Sequence, residues 1–441
     1  MRLLIANEVD PMLSWVDFRS YSQRLLWFAE DGDVLVLPGP PGADFLRHVA
    51  SLTGVDPRSL TFLVPPPGRY QGKVIDPYAL LDQDFLAAAA KAVAAAPTPA
   101  TGLLSCWPSP VVPRFAAALG LGGLVPGAAF IDQGGGELAN SKAEFRALAA
   151  AAGVPIAPGA VCRSGYEAEQ EIPRLLAGTG AVLVKQAHNG AGAGNQLVVL
   201  GHGHRTDHVG AKFLHHLEPG PGAVAAYVAE QWAWASRDGR YPVVVEEFQP
   251  ASRTVYAEFL AEDDGVRFTA TGELDYRERR LVRESTPARG LTAEVEGRLT
   301  AGAARLAEAY RSLGYRGYLS ADAIVDDSGR LVFTELNARV TGSLHLYGPI
   351  GGRVVDTARH PRRSVTQHRT PAHWPALELD EFLEIAATAG LGYDPVERRG
   401  VLVSIPPVPG VRGGFDYCVV HDGADEEEDL LRRLDGAVCP T

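Results

Sequence analysis

The sequence is poor in lysine, and this shortage makes each lysine informative. Only five of its 41 basic residues are lysines, and the other 36 are arginines. Because arginine is the default cation of this chain, a retained lysine indicates a site that favours a compact point charge over a planar guanidinium. The five lysines are Lys73, Lys91, Lys142, Lys185 and Lys212.

Cysteines and long apolar segments are also scarce. The four cysteines are Cys106, Cys162, Cys418 and Cys439. They lack the paired spacing of a zinc site or a disulfide framework, which favours a reducing compartment. The apolar stretch 86–96 is too short to span a bilayer. Met1 and Arg2 lead directly into an apolar strand, without the pattern of a secretory leader. We therefore expect a cytoplasmic protein with no membrane partner.

Positive charge is in the minority. The chain has 53 acidic residues against 41 basic ones, a formal net charge of −12 and a pI of about 5.5. Nucleic-acid phosphates require a basic surface, so we expect no nucleic-acid partner. With 441 residues, 46% of them hydrophobic, the chain is long enough for two to four globular modules.

Short apolar runs alternate with helix-like segments in the first part of the chain. Strands are predicted at 2–6, 34–37, 60–64 and 101–105, with helices near 44–53 and 84–96. This alternation predicts a small α/β domain with parallel strands. The glycine-rich loop 132–136 marks its end.

The rest of the chain contains several further predicted elements. Asn140 or Ser141 can cap a helix that runs to Ala152. Strands at 181–186 and 196–200 enclose a loop, 242–248 and 255–260 form another predicted strand pair, and a helix covers 294–313. A last module begins near Trp374, with a helix at 380–389, strands at 400–405 and near 415–420, and a terminal helix.

The segment 317–339 is predicted as two strands joined by the turn Asp-Asp-Ser-Gly. If the four turn residues are unpaired, Asp322 opposes Phe333 and Glu335 lies diagonally on the same face. Asn337 shares that face by the strand period of two. Three oxygen-bearing side chains suit a hard cation such as Mg²⁺. An ordinary exposed hairpin would explain the polar residues, but not the apolar residues around them.

The loop 187–195 carries glycines at 190, 192 and 194. Glycines let backbone amides approach phosphate oxygens without obstruction by a Cβ atom. Strands flank this loop on both sides, whereas a dinucleotide-binding loop opens a helix. A flexible surface turn is the alternative interpretation of this feature on its own.

The order of these features resembles that of the ATP-grasp ligases, over about residues 137–352. Their D…ExN triad, which holds the magnesium bound to ATP, matches Asp322, Glu335 and Asn337. The resemblance further implies that nucleotide contacts come from Lys142, Lys185, Asn189, Gly190, Gly192, Gly194, Glu246, Glu247 and Phe248. The last three match a hinge whose backbone reads adenine, and either glutamate could take the adenine amino group or the ribose hydroxyls.

The same resemblance implies substrate-binding residues. Arg339 would grip the donor carboxylate and the acyl phosphate, because a guanidinium offers bidentate contacts. Arg280 and Arg283 match a strand and loop with catalytic and phosphate-binding roles, although a solvated charged strand explains them equally well. Other implied substrate residues are Glu273 and Asp275, which could pair with a cationic donor, and Ser343. Ser320 departs from those amino-acid ligases that have an arginine at its position.

The resemblance implies an α/β and α+β fold with three domains. These are an N-terminal α/β (pre-ATP-grasp) domain over 1–133, an ATP-grasp domain with antiparallel sheets and a glycine-rich lid over 134–373, and a small C-terminal α/β domain over 374–441. The lid subdomain covers about 160–248. This arrangement is similar to that of the pheganomycin-type peptide ligases, which implies a role in antibiotic biosynthesis.

The activity so implied is an ADP-forming carboxylate–amine ligation. The enzyme would use ATP with one or two Mg²⁺ ions, or Mn²⁺, to activate a carboxylic acid donor as an acyl phosphate. The donor would be an N-amidino or otherwise modified amino acid, and the acceptor the amine of a peptide. Alternatives are a small-molecule amine acceptor, a carboxylation, or a non-catalytic nucleotide-binding regulator. A homodimer is also left open.

Overall fold

The structure is a computed structural model that describes residues 1–6, 17–190, 192–201, 203–207, 209–250 and 252–440. Ala191, within the predicted phosphate loop, lies outside the described residues. Contacts within the chain divide it into two compact units. Unit 1 comprises residues 1–134, 283–287 and 340–441, and unit 2 comprises residues 135–282 and 288–339. The predicted three-domain boundaries stay a prediction.

The α-helices of the described residues are α1 (Arg19–Ser22), α2 (Ala43–Thr53), α3 (Gln83–Ala95), α4 (Val111–Ala118), α5 (Ala128–Asp132), α6 (Gly135–Ala139), α7 (Lys142–Ala151), α8 (Gly165–Thr179), α9 (Ala223–Ser236), α10 (Ala293–Leu313), α11 (Leu379–Thr388) and α12 (Ala424–Val438). The strands are β1 (Arg2–Ile5), β2 (Val34–Val36), β3 (Thr61–Leu63), β4 (Gly102–Ser105), β5 (Gly159–Cys162), β6 (Ala181–Gln186), β7 (Asn195–Leu200), β8 (Phe213–Leu217), β9 (Val243–Glu247), β10 (Arg253–Ala261), β11 (Val266–Arg277), β12 (Arg280–Thr286), β13 (Gly317–Val325), β14 (Leu331–Asn337), β15 (Ser364–Arg369), β16 (Gly400–Ile405) and β17 (Asp416–His421). A π-helix spans Leu346–Val355.

The N-terminal part of unit 1 is a parallel sheet with strand order β3-β2-β1-β4. Leu3 pairs with Val34 on one side and with Leu103 on the other. Buried parallel strands are apolar on both faces, and Leu3, Leu4 and Ile5 are fully buried. The four strands predicted for this part, and their parallel pairing, are confirmed.

The C-terminal part of unit 1 is an antiparallel sheet in which β15 pairs with residues 283–286 of β12 and with β17, and β17 pairs with β16. The strand predicted at 400–405 is confirmed, whereas β15 was not predicted. Trp27 of the N-terminal part is fully buried and donates from its indole nitrogen to the Ser404 carbonyl at 2.9 Å. Unit 1 therefore has one core built from both ends of the chain.

An ionic network around the buried Glu427 ties α12 to this C-terminal sheet. The carboxylate of Glu427 accepts hydrogen bonds from Arg283 at 2.7 and 2.8 Å and lies 3.0 Å from Nε2 of His368. The Glu427 side chain is only 7% exposed. Burial alone would raise the pKa of Glu427, but the hydrogen bonds from Arg283 and His368 lower it to about 2.

Unit 2 contains a five-stranded sheet with strand order β5-β9-β6-β7-β8. β9 lies in its interior and pairs antiparallel with β5 and β6. The predicted pairing of 242–248 with 255–260 is therefore wrong. Both edges of β9 are occupied, and β10 pairs instead with β11 and β13 in a different sheet.

The second sheet of unit 2 runs in the order β14-β13-β10-β11, with α10 packed on one face. Gly302 of α10 lies so close to this face that an added Cβ atom would be 2.6 Å from the Phe333 ring. Phe333 pairs with Ala323, so both residues face α10. Successive side chains of a strand point to opposite faces, and Asp322 therefore points away from α10.

Among the described residues, no helix combines the length and the hydropathy that crossing a membrane requires.

The network around Glu427 predicts an acid-sensitive stability. We expect Glu427→Gln to lower the free energy of unfolding by about 3 kcal/mol at pH 7, because it removes the buried carboxylate that accepts two charge-assisted hydrogen bonds from Arg283. Because the pKa of Glu427 is lowered to about 2 on folding, its contribution is present above about pH 4.5 and is lost as the pH falls from there towards 2. Urea unfolding of both proteins between pH 7 and pH 3 measures the difference.

Glu428 provides the matched control, because it is the next residue of α12 and is exposed. We expect Glu428→Gln to change stability by less than about 0.5 kcal/mol. Equal effects of the two substitutions, or a Glu427→Gln effect of the same size at pH 3 as at pH 7, would contradict this account.

Candidate active site

The site is built around a cross-strand pair of carboxylates on β13 and β14. Val325 pairs with Leu331, and a register shift follows between Asp322 and Ala323. This β-bulge places Asp322 directly opposite Glu335. The predicted register, with Asp322 opposite Phe333, is wrong for two reasons. Arg330 belongs to the turn, where its carbonyl accepts from the Asp326 amide at 3.1 Å, and the bulge adds one residue to β14.

Two polar side chains fix the Asp322 carboxylate. Nδ2 of Asn337 donates to one of its oxygens at 2.9 Å, and the Ser320 hydroxyl donates to the other at 2.9 Å. Ser320 and Asn337 are themselves opposite each other across the two strands. The structure thus brings Asp322, Glu335 and Asn337 together, as the sequence predicts, and gives Ser320 a role that the sequence did not reveal.

The two carboxyl groups have opposite protonation preferences. Burial raises the pKa of Asp322 well above its ordinary value, and the negative charge of Glu335 raises it further. Burial also acts to raise the pKa of Glu335, but the charges of Lys142, Lys185 and Arg339 outweigh it and lower the pKa. Glu335 is therefore the ionised partner, and Asp322 is the carboxyl group that favours its protonated form.

Lys142 reaches this pair from the first turn of α7. Ser141 caps the helix, since its hydroxyl accepts from the Glu144 amide, which decides between the two predicted caps. Nζ of Lys142 lies 3.0 Å from an oxygen of Glu335 and donates to the Asn189 carbonyl at 2.6 Å. This one lysine thus links the carboxylate pair to the start of the glycine-rich loop.

Lys185 belongs to a second buried ionic group. Its Nζ is 2.5 Å from one oxygen of Glu246, and Arg146 is 3.1 Å from the other. The three side chains are at most 9% exposed. Arg146 was missed by the sequence analysis, because one arginine among 36 gives no signal. The Glu246 carboxylate is already engaged by two cations, so a direct contact between it and adenine would have to displace one of them.

The backbone amides of two predicted hinge residues are already hydrogen-bonded within the protein. The Glu247 amide donates to the Pro158 carbonyl at 2.8 Å, and the Phe248 amide donates to the Ala181 carbonyl at 3.1 Å. Glu247 is half-buried and Phe248 is buried. These two amides hold β9 within its sheet, and adenine recognition by the backbone would need groups other than these.

The glycine-rich loop is shaped by close packing. Gly192 has a φ of 69°, and a Cβ atom there would lie 2.4 Å from the Gly210 carbonyl oxygen. At Gly194 a Cβ atom would lie 2.4 Å from Cβ of Asn189. The Gly190 amide donates a hydrogen bond to Oδ1 of the Asn189 side chain at 2.9 Å. Glycine at 192 and 194 is therefore required by the loop itself, which is a reason separate from the predicted approach to phosphate.

Arg339 lies at the end of β14, close enough to lower the pKa of both Asp322 and Glu335. Its guanidinium donates to Oδ1 of Asn140. Asn140 was considered in the sequence only as a helix cap, and this contact was missed. Arg339 therefore lies near the carboxylate pair, and its predicted contact with a donor carboxylate stays a prediction.

Glu273 and Asp275 do not join the carboxylate pair. Tyr256 on β10 pairs with both Asp322 and Gly272, so Glu273 and Asp275 point to the α10 face. Glu273 accepts there from the Gly290 amide at 2.7 Å. Their predicted pairing with a cationic donor would therefore lie on the opposite face of the sheet from Asp322, and it stays a prediction.

Three other predicted site residues, two of them predicted as catalytic, have different surroundings. Arg280 is the exposed first residue of β12. Arg283 belongs to unit 1, where it forms an ion pair with Glu427. This ion pair gives a structural reason for an arginine at position 283. Ser343 is buried in unit 1 with its hydroxyl 2.8 Å from that of Thr341.

The donor set of the carboxylate pair fits a hard divalent cation. Among the described residues, no group of three or more His, Cys, Asp or Glu side chains could hold a metal ion. Two carboxylates and one amide are present instead, and Mg²⁺ is commonly bound by one or two carboxylates together with substrate phosphates. Nδ2 of Asn337 binds Asp322 here, and a rotation of the amide would turn its oxygen to a cation.

Comparison with known proteins connects this geometry to a fold. Residues 22–121 match the family described as the Pre ATP-grasp domain, and residues 381–434 match the PGM1 C-terminal domain. No curated protein matches the chain in sequence. Among solved structures, N5-carboxyaminoimidazole ribonucleotide synthetase from Thermus thermophilus is similar with a TM-score of 0.56 and 17% identity, over 100% of this chain and 99% of that one.

The chain has the ATP-grasp fold. L-amino acid ligase from Bacillus licheniformis shares it with a TM-score of 0.52 and 14% identity, over 99% of this chain and 98% of that one. The biotin carboxylase domain of 2-oxoglutarate carboxylase from Hydrogenobacter thermophilus, solved with MgADP and bicarbonate, gives a TM-score of 0.56 and 15% identity, over 99% of this chain and 89% of that one. The predicted fold class, including the pre-ATP-grasp domain, is confirmed.

The packing of Gly192 predicts a large effect of a small substitution. We expect Gly192→Ala to lower the stability of the loop by more than about 2 kcal/mol, because it combines a strained φ with overlap on the Gly210 backbone. Gly201→Ala is the matched control, since Gly201 has a φ of 73° and no atom within 4 Å of the added Cβ. Its cost should be about 1 kcal/mol. Hydrogen exchange of residues 186–200 reads out both variants, and equal protection would refute the packing argument.

Proposed function

We propose that this protein is an ATP-dependent carboxylate–amine ligase. The observation that carries the proposal is the convergence of Asp322, Glu335, Asn337, Lys142 and Arg339 within one compact unit. Carboxylate and amide oxygens beside positioned cations suit a nucleotide triphosphate with its metal, because both the metal and the phosphates need charge compensation.

Each residue of the cluster has a proposed part in binding. Asp322, Glu335 and the Asn337 amide oxygen would hold one or two Mg²⁺ ions, which supply positive charge to the phosphates. Lys142 would exchange its contact with Glu335 for a phosphate oxygen, and Lys185 would contact the nucleotide while Glu246 and Arg146 hold it. Asn189, Gly190, Gly192 and Gly194 form the loop over the phosphates, and Glu247 and Phe248 stand beside the adenine.

The proposed chemistry has two displacement steps. A substrate carboxylate oxygen attacks the γ-phosphorus of ATP, the bond from that phosphorus to the β,γ-bridging oxygen breaks, and ADP leaves. The acceptor nitrogen then attacks the acyl carbon, inorganic phosphate leaves with the oxygen, and the nitrogen loses a proton. Arg339 would bind the donor carboxylate and then the acyl phosphate. Positioning and charge stabilisation suffice for both steps, so no protein nucleophile is required.

We further propose an N-modified amino acid as the donor and a peptide amine as the acceptor. The similarity in fold to L-amino acid ligase supports an amino-acid substrate. The similar structures with carboxylase or carboxyaminoimidazole names support carboxylation as the second candidate.

Product analysis tests the proposal directly. The protein is incubated with ATP, Mg²⁺ and pairwise combinations of N-modified amino acids, short peptides and small amines, and in a separate arm with labelled bicarbonate. We expect ADP, phosphate and an amide whose mass is the sum of the two substrates less one water. Glu335→Ala should lower this rate by at least about a hundredfold, because it removes a charge that holds the metal.

Glu262→Ala is the control, because Glu262 lies on the surface of the same unit and pairs with the exposed Arg267 in a 3.3 Å contact. It should leave the rate unchanged. Incorporation of label from bicarbonate would instead support carboxylation. Binding of ATP without consumption in any arm would oppose catalysis and favour a regulatory nucleotide-binding role.

A further inference from the structure

Asn140 lies in the turn that joins α6 to α7, two residues before Lys142. It is only 8% exposed, which is unusual for an asparagine in a helix connection. Ser141, and not Asn140, caps α7. The burial of this polar side chain therefore needs a reason other than helix capping.

The side chain of Asn140 makes hydrogen bonds in every direction available to it. Nδ2 donates to the Gly136 carbonyl at 2.9 Å and to the Ala338 carbonyl at 3.0 Å. Oδ1 accepts from the Ala338 amide at 3.1 Å and from Nη1 of Arg339. An asparagine side chain offers two donors and two acceptor sites, and all four are occupied. Such a side chain has one orientation.

These contacts fix the backbone at Ala338, next to two residues of the candidate site. Asn140 binds both the amide and the carbonyl of Ala338, which stands between Asn337 and Arg339. The same oxygen that holds this backbone also receives the guanidinium of Arg339. The turn that precedes Lys142 therefore also contributes to holding the guanidinium of Arg339.

We propose that Asn140 is a positioning residue that holds Arg339 against the phosphoryl group transferred from ATP. This inference rests on the proposed function of Arg339 and extends it by one residue. Other side chains cannot replace all four contacts. Aspartate keeps the acceptors for Arg339 and the Ala338 amide but loses both donors, and alanine loses all four hydrogen bonds.

The test uses Mg·ADP with aluminium fluoride, a mimic of the phosphoryl group in transfer, and Mg·ADP alone as the reference. Calorimetry gives the affinity of each for the wild type, Asn140→Ala, Asn140→Asp, Arg339→Ala and the double variant Asn140→Ala/Arg339→Ala. Leu138→Ala, on the exposed side of α6, is the control for local damage. Mg·ADP affinity and thermal melting report whether each variant is folded.

We expect Arg339→Ala and Asn140→Ala each to weaken binding of the fluoride complex at least about tenfold, the size of one lost hydrogen bond to a charged group. Mg·ADP affinity should stay within about twofold, since Asn140 acts through Arg339 and not on the nucleotide. The double variant should match Arg339→Ala alone. Asn140→Asp should lose less than Asn140→Ala, because an acceptor for Arg339 remains.

Different failures have different meanings. If Arg339→Ala weakens the fluoride complex and Asn140→Ala does not, or if their effects add in full, positioning by Asn140 is wrong and the proposed function stands. Equal losses in Asn140→Asp and Asn140→Ala would assign the effect to the Ala338 backbone and also refute the inference. If Arg339→Ala has no effect, the role of Arg339 fails and the inference fails with it. If Mg·ADP does not bind the wild type, the proposed function itself is wrong.

Discussion

The placement of two carboxylates directly opposite each other is the constraint on which the rest of the site depends. Asp322 and Glu335 form a cross-strand pair at a β-bulge, and like charges in such a pair repel. Two features reduce this repulsion. The raised pKa of Asp322 favours its protonated form, and cations surround Glu335. A metal ion bound to phosphates would satisfy the same arrangement, as the proposed function requires.

Helix α7 carries two cations that pair with buried or half-buried glutamates of unit 2. Lys142 and Arg146 are four residues apart and so lie on one face of this helix. The first pairs with Glu335 of one sheet, and the second pairs with Glu246 of the other. Lys185 shares Glu246 with Arg146 and also lowers the pKa of Glu335. The two sheets of unit 2 are therefore connected by a short chain of alternating charges that passes through α7.

Much of the fold, and the polar residues of the β13–β14 hairpin, could be predicted from the sequence because their signals are local. The alternation of β1 to β4 with helices, the length of α10 and the polar residues of the β13–β14 hairpin follow from periodicity and turn residues. The rarity of lysine drew attention to Lys142 and Lys185, and both are buried beside carboxylates. The register of the hairpin could not be predicted, because the apolar run 331–333 has no alternation that would show where the turn ends or where a bulge adds a residue. Asn140 and Arg146 act only through tertiary contacts, and nothing in their sequence neighbourhood distinguishes them from an ordinary cap and an ordinary surface arginine.

The central claim is that Asp322 and Glu335 jointly hold the metal of a bound nucleotide. Electron paramagnetic resonance of Mn²⁺ in the presence of ADP tests it most directly, because bound and free Mn²⁺ have different signals and no substrate is needed. The account predicts that Mn²⁺ binds in a ternary complex with ADP, and that Asp322→Asn and Glu335→Gln each raise its dissociation constant at least about tenfold. A dissociation constant that is the same in the wild type and both variants would contradict it.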